Sequence, residues 1–110
     1  MLSNDHHYRA CDALFHGLAE VRWKEVDEGW VRYDPAAGQT FLIAPITRFV
    51  LDQLAHPGRH LSFSQLLACV LQEEPDADPD DCRQLVEFAI EALIGARLIL
   101  SEPRPSLANP

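Results

Sequence analysis

No run of about 18 or more apolar residues occurs in this 110-residue chain, so no membrane-crossing helix is expected. The opening, MLSNDHHYRACDALF, lacks the basic region and following apolar run of a secretory signal. A cytoplasmic protein with no membrane partner is the expectation. Cysteine is sparse: Cys11, Cys69 and Cys82 are an odd number with no CxxC pair, which suits thiols in a reducing compartment. Lysine is almost missing, with Lys24 alone, and 9 basic residues face 17 acidic ones for a formal net charge of −8. Proteins that neutralise phosphates do so with Lys and Arg, so this balance, with no basic stripe, counts against a nucleic-acid partner. Catalytic motifs are missing too: there is no Gly-rich phosphate loop, no GxSxG and no HExxH. With no nucleophile, base and ligand set at workable spacing, neither an enzyme nor a cofactor is expected.

The residues with ligand chemistry do not assemble into a motif. His6, His7, Cys11 and His16 cluster near the N-terminus, but their pairs do not repeat as a zinc site's do, and no metal is assigned. His56 and His60 flank Pro57-Gly58 and read as exposed loop residues. Cys69 and Cys82 lie on apolar helical faces as small hydrophobes. The acids at 73–81 lack the order and glycine of a calcium loop, and a solvated loop with a capped helix start explains them.

What is present is an ordered run of secondary-structure signals. Residues 1–20 carry Tyr8, Cys11, Leu14, Phe15 and Leu18 at roughly helical spacing, so this extension reads as a short helix or as disorder. Val21–Val26 alternates as a half-buried strand with Val21 and Trp23 on one side. Trp30–Tyr33 is a second strand. If its Val31 and Tyr33 face the core, Trp30 and Arg32 face out, with Trp30 either an exposed candidate contact or packed under the N-terminal segment. Gln39–Ile43 is the third strand, and the short turns at 27–29 and 34–38 force an antiparallel meander. Helices follow. Pro45 opens the first, with a stripe of Ile46, Phe49, Val50 and Leu54. Ser62 caps the second, which carries Phe63, Leu66, Leu67, Val70 and Leu71. Asp78-Pro79 starts the third, with a stripe of Cys82, Leu85, Val86, Ala89, Ile90 and Leu93. Leu98-Ile99-Leu100 is a short strand or a packed tail, and Glu102–Pro110 is extended and loose. The fold class is α+β: a three-stranded antiparallel meander followed by three helices, winged-helix-like. The expected core includes Val21, Trp23, Phe41 or Leu42, Phe49, Val50, Leu66, Val70, Val86, Ile90 and Leu93.

Two features could serve recognition. Gln39–Ile43 ends the meander, and an edge strand offers unpaired N–H and C=O groups to an added strand. Phe88, with Leu85 and Ala92, makes the third helix apolar beyond what its core stripe requires. On the residues alone each has an ordinary alternative: an edge that is merely an edge, an aromatic that is merely core.

The stretch WVRYDPAAGQTFLIAPITRFV, a hairpin feeding a helix that opens on proline, carries a resemblance. With the Trp23 strand, the helix APITRFVLDQL and the closing GARLI, it resembles the PqqD-like peptide-binding family, also called RiPP recognition elements. The subgroup whose character it shares most accompanies kinase-like proteins related to the HPr kinase (the HPr-rel-A system). The resemblance spans about residues 21–101, leaving an N-terminal extension at 1–20 and a Pro-rich tail at 102–110. It implies a non-catalytic domain that holds a precursor or leader peptide for a partner modifying enzyme or kinase-like protein. In the family the peptide adds to the third strand and lies against the third helix. Carried over, it would pair along Gln39, Thr40, Phe41, Leu42 and Ile43. Its alternate side chains would enter a groove walled by Leu85, Phe88 and Ala92, with Arg83 and Glu87 at the rim. A winged-helix DNA-binding regulator is the competing class, and a structural oligomerisation module, such as a homodimer through the same open edge, is the third.

Overall fold

The computed structural model describes residues 6–15 and 20–103. In chain order the elements are β1 (His6–Ala10), a 3-10 turn (Asp12–Phe15), β2 (Arg22–Val26), β3 (Gly29–Asp34), β4 (Gln39–Ile43), α1 (Pro45–Leu54), β5 (Leu61–Ser62), α2 (Phe63–Glu73), α3 (Pro79–Gly95) and β6 (Ile99–Pro103). The fold is α+β and winged-helix-like, with the expected antiparallel meander ordered β2-β3-β4 and three helices after it. Among the described residues no helix is long and apolar enough to cross a membrane.

Local chemistry explains the punctuation. Asp34 Oδ1 accepts from the backbone N–H of Ala36 and Ala37 at 3.0 and 3.2 Å, closing the β3–β4 turn. Gly38 leaves that turn at φ 64°, a conformation that glycine adopts without strain. Pro45 sits in the first turn of α1, where no N–H is needed. Ser62 caps α2 in a reciprocal box: its hydroxyl accepts from Gln65 N–H, and the Gln65 side chain accepts from Ser62 N–H. Asp78 caps α3 by accepting from Asp80 N–H, with Pro79 behind it. At the far end of α3, Leu98 N–H reaches Leu93 O and Arg97 N–H reaches Ile94 O, which is a Schellman stop. The left-handed residue there is Arg97, at φ 61°, with Gly95 still inside the helix.

Gly29 opens β3 at φ 143°, and a Cβ on it would run into the Ile43 carbonyl and crowd Ala44 and Pro45. It lets the β2–β3 hairpin close on the β4–α1 junction. Gly29→Ala is expected to cost about 1–3 kcal/mol, read as a lower urea midpoint at unchanged slope.

The N-terminal segment departs from the sequence reading. Residues 6–10 are neither helix nor disorder but the middle strand of a second antiparallel sheet, ordered β5-β1-β6. Tyr8 pairs with Leu61 on one side and Ser101 on the other. Both partners lie far away in sequence, so no local signal announces the strand. The helical spacing suggested by Tyr8, Cys11 and Leu14 is in fact an alternating Tyr8 and Ala10 directed inwards, followed by Leu14 from the 3-10 turn, all buried. Ile99 and Leu100 of the Leu98–Leu100 run open β6, its partner strand, which continues through Pro103. Residues 16–19 and 104–110, including His16 and most of the Pro-rich tail, lie outside the described residues.

Six of the expected core residues, Val50, Leu66, Val70, Val86, Ile90 and Leu93, are fully buried. Val21, Trp23, Phe41 and Phe49 are half-buried, and Leu42 is exposed. The α1 stripe is rotated by a position: Thr47, Val50, Leu51 and Leu54 are buried, while Ile46 and Phe49 stay partly open. The faces of β3 are also the reverse of those expected. Arg32 is buried, with Trp23 and Phe41 opposite it, while Tyr33 is exposed on the outer face.

That inversion is held by a cation–aromatic cluster. The Arg48 guanidinium from α1 lies over both indoles, 4.3 Å from the Trp23 centroid and 3.9 Å from that of Trp30. The two rings meet edge to face at 6.5 Å. Arg32 adds its own contact with Trp23 at 5.8 Å and lies 3.9 Å from Asp34. Burial lowers the Arg32 pKa, and the Asp34 charge works against that shift. A tryptophan is bulky enough to clamp an arginine against a helix, which alternation of apolar and polar letters does not reveal.

Candidate peptide-binding groove

β4 is an outer strand of the meander sheet, paired among the described residues to β3 alone. Its side chains split by face. Phe41 and Ile43 turn towards the helices, while Thr40 and Leu42 stand on the outer face, Leu42 60% exposed. A hydrophobe that open on an edge strand is available to a partner.

Across from β4 runs the flank of α3. Successive helical residues turn by about 100°, so Leu85, Phe88, Ala92 and Ala96 fall on one side of the buried stripe. Phe88 is 57% exposed and Leu85 45% exposed. Between strand and helix lies a cavity of about 240 Å³ lined by Phe41, Leu42, Ile43, Ala44, Phe88 and Ala92, with Thr47, Ala96 and Glu28 completing it. The structure therefore brings Phe41, Leu42 and Ile43 together with Phe88 and Ala92. Leu85 belongs to a neighbouring apolar cavity of about 350 Å³, with Pro45, Ile46, Phe49, Ala77 and the acids Glu73 and Glu74 among its walls. Ile46 and Phe49 are half-open because they wall this second hollow.

Neither Arg83 nor Glu87, expected at the rim, lines this cavity. Arg83 lies about 140° round the helix from Phe88, and its guanidinium stands over the Phe63 ring at 5.7 Å. Glu87 lies about 100° from Phe88, in the same direction as Arg83. Helical periodicity sends both away from the flank of Phe88. The acid that does line the groove is Glu28, from the β2–β3 turn. It was not anticipated, because turn residues carry no periodicity that assigns them a face. Thr47 and Ala96 were missed as well. A threonine inside the apolar run of α1, and alanines at 92 and 96 one turn apart, were the signals.

Elsewhere, His6 Nδ1 and Ser101 Oγ are 2.8 Å apart across the β1–β6 pair. Among the described residues no group of three His, Cys, Asp or Glu side chains comes together. The three cysteines form no disulfide.

No protein-family model matches the chain, and no curated protein matches it. Among solved structures, one described as "Lasso peptide synthetase B1 complexed with the leader peptide" is similar at a TM-score of 0.51 and 16% sequence identity, over 84% of this chain and 96% of that one. At that identity the likeness is one of fold.

Proposed function

We propose that this chain is a non-catalytic peptide-binding domain of the PqqD-like kind, holding a precursor or leader peptide as an added strand on β4 for a partner modifying enzyme. The observation that carries this reading is the pairing of an open strand edge with an apolar hollow whose main aromatic, Phe88, is left exposed. The similar solved structure adds support, since that protein is described in complex with a leader peptide. Backbone hydrogen bonds to β4 supply affinity with little demand on sequence, and the hollow selects side chains. With Glu28 in its wall and a net charge of −8 overall, the site favours a neutral or basic segment over an acidic one. By the resemblance, the enzyme served is a modifying or kinase-like protein.

The test is a titration with candidate peptides encoded beside the gene, followed by amide shifts. The expected perturbations run along Gln39–Ile43 and along α3 from Phe88 to Ala96; shifts confined to other elements would overturn the assignment. Proline scanning adds a second check. N–H groups on an edge strand alternate between the neighbouring strand and solvent, so one of Gln39→Pro and Thr40→Pro removes an outward donor. The variant that keeps the wild-type melt should lose about 0.5–1.5 kcal/mol of peptide affinity. If both bind as wild type, β4 is not the docking edge. Light scattering across a dilution series shows whether the same edge pairs instead with a second copy.

A further inference from the structure

The β4–α3 cavity has apolar walls but a polar group in its lining. Thr47 is only 2% exposed, it lines the cavity, and its Oγ1 has no hydrogen-bond partner among the described residues. Threonines in helices ordinarily bond a carbonyl three or four residues back, so an unpartnered one is unusual. A hydroxyl left this way carries its full desolvation cost, and valine would fill the same volume without it. In this position the hydroxyl needs a partner from beyond the described residues.

We infer that Thr47 is a specificity-determining residue of the groove, donating to or accepting from the polar tip of one peptide side chain. The inference rests on the peptide-binding reading and adds the chemistry of what is selected. A strand added to β4 would set its inward side chains beside Phe41 and Ile43, at the mouth of the cavity. The walls, Phe41, Ile43, Ala44, Phe88, Ala92 and Ala96, ask for an apolar body. The Thr47 hydroxyl asks for a hydrogen-bonding end. A carboxylate would meet Glu28 in the cavity wall, and an ammonium would pair with that exposed carboxylate at the solvent side rather than carry its charge in to a neutral hydroxyl. The class that remains is an uncharged side chain with an apolar stem and a polar tip, tyrosine or glutamine in kind. A site built to bond such a tip discriminates strongly against an analogue that lacks it, because the buried partner is then left unpaired.

The probe is a displayed library of random dodecapeptides selected against the wild-type chain. Enriched sequences are then remade in pairs differing at the groove position, tyrosine against phenylalanine and glutamine against leucine. Wild type is expected to favour the polar-tipped member by about tenfold, the ratio that one well-made buried hydrogen bond supports. Thr47→Val should melt no lower than wild type and lose the preference, whereas Thr47→Ser, which keeps the hydroxyl, should retain it. Enrichment of peptides without that preference, or its survival in Thr47→Val, overturns the role of Thr47 and leaves the docking edge standing. Failure to enrich any peptide overturns both.

Discussion

Phe88→Ala is expected to weaken binding of a groove peptide by about 1–3 kcal/mol, and Phe88→Asp by about 2–4 kcal/mol. Neither should move the melting temperature much. With 57% of its surface exposed, Phe88 gives up little burial on truncation, and surface changes of this sort stay within about 0.5 kcal/mol of wild-type stability. A core aromatic would behave in the opposite way, costing stability on truncation whether or not a peptide is present. The aspartate variant is the harsher because it sets a charge in an apolar hollow that already has Glu28 in its wall. Calorimetric titration beside thermal melts separates the two outcomes. Two folded variants that both bind as wild type would remove Phe88 from the site, and with it the β4–α3 groove as the place of selection.

Tyr8→Ala is expected to cost about 3–5 kcal/mol of folding stability, enough to unfold a marginal domain of this size. Tyr8 is 1% exposed on the middle strand of the second sheet, so its truncation leaves a void under β5 and β6 together. Burial also pushes the Tyr8 phenol above its ordinary pKa. The folded state then resists ionisation that the unfolded chain accepts. This contribution is constant below about pH 10, the ordinary tyrosine value, and is lost as pH rises from there through the folded pKa. Tyr8→Phe keeps the ring and removes the titration, so its denaturant midpoint should fall less steeply above pH 10 than that of wild type. A Tyr8→Ala protein as stable as wild type would show that β1 is a dispensable extension.

Much of the outline of the candidate groove was legible because its determinants are local. Gln39–Ile43 announces itself by a turn on one side and a proline-opened helix on the other, and β4 has the predicted bounds. The α3 flank was legible from one exposed aromatic beside a complete core stripe. Arg83 and Glu87 were expected at the rim, and neither lines the cavity. The 100° step per residue, applied to Phe88, already sends them away. The inverted faces of β3 have another cause. In Trp30-Val31-Arg32-Tyr33 a binary reading turns Val31 and Tyr33 inwards, because the other pair contains an arginine. The choice is made by Arg48 on α1, which lies over both Trp23 and Trp30 and draws that face inwards.

The sequence by itself determined the order of the meander and helices, their caps at Ser62 and Asp78, the third strand with its adjoining helix, and the acidic balance that disfavours nucleic acid. These depend on turns, caps, periodicity and composition, which act over a few residues or over the whole chain without regard to pairing. Only the tertiary structure decided that β1 is a core strand, that Arg32 lies inside, that Glu28 and Thr47 line the groove and that Leu85 opens onto a different hollow. Each of these depends on partners brought together from distant parts of the chain, as in Tyr8 with Leu61 and Ser101, or Phe41 with Phe88. Their free energy comes from burial and strand pairing that do not exist until the whole domain has closed.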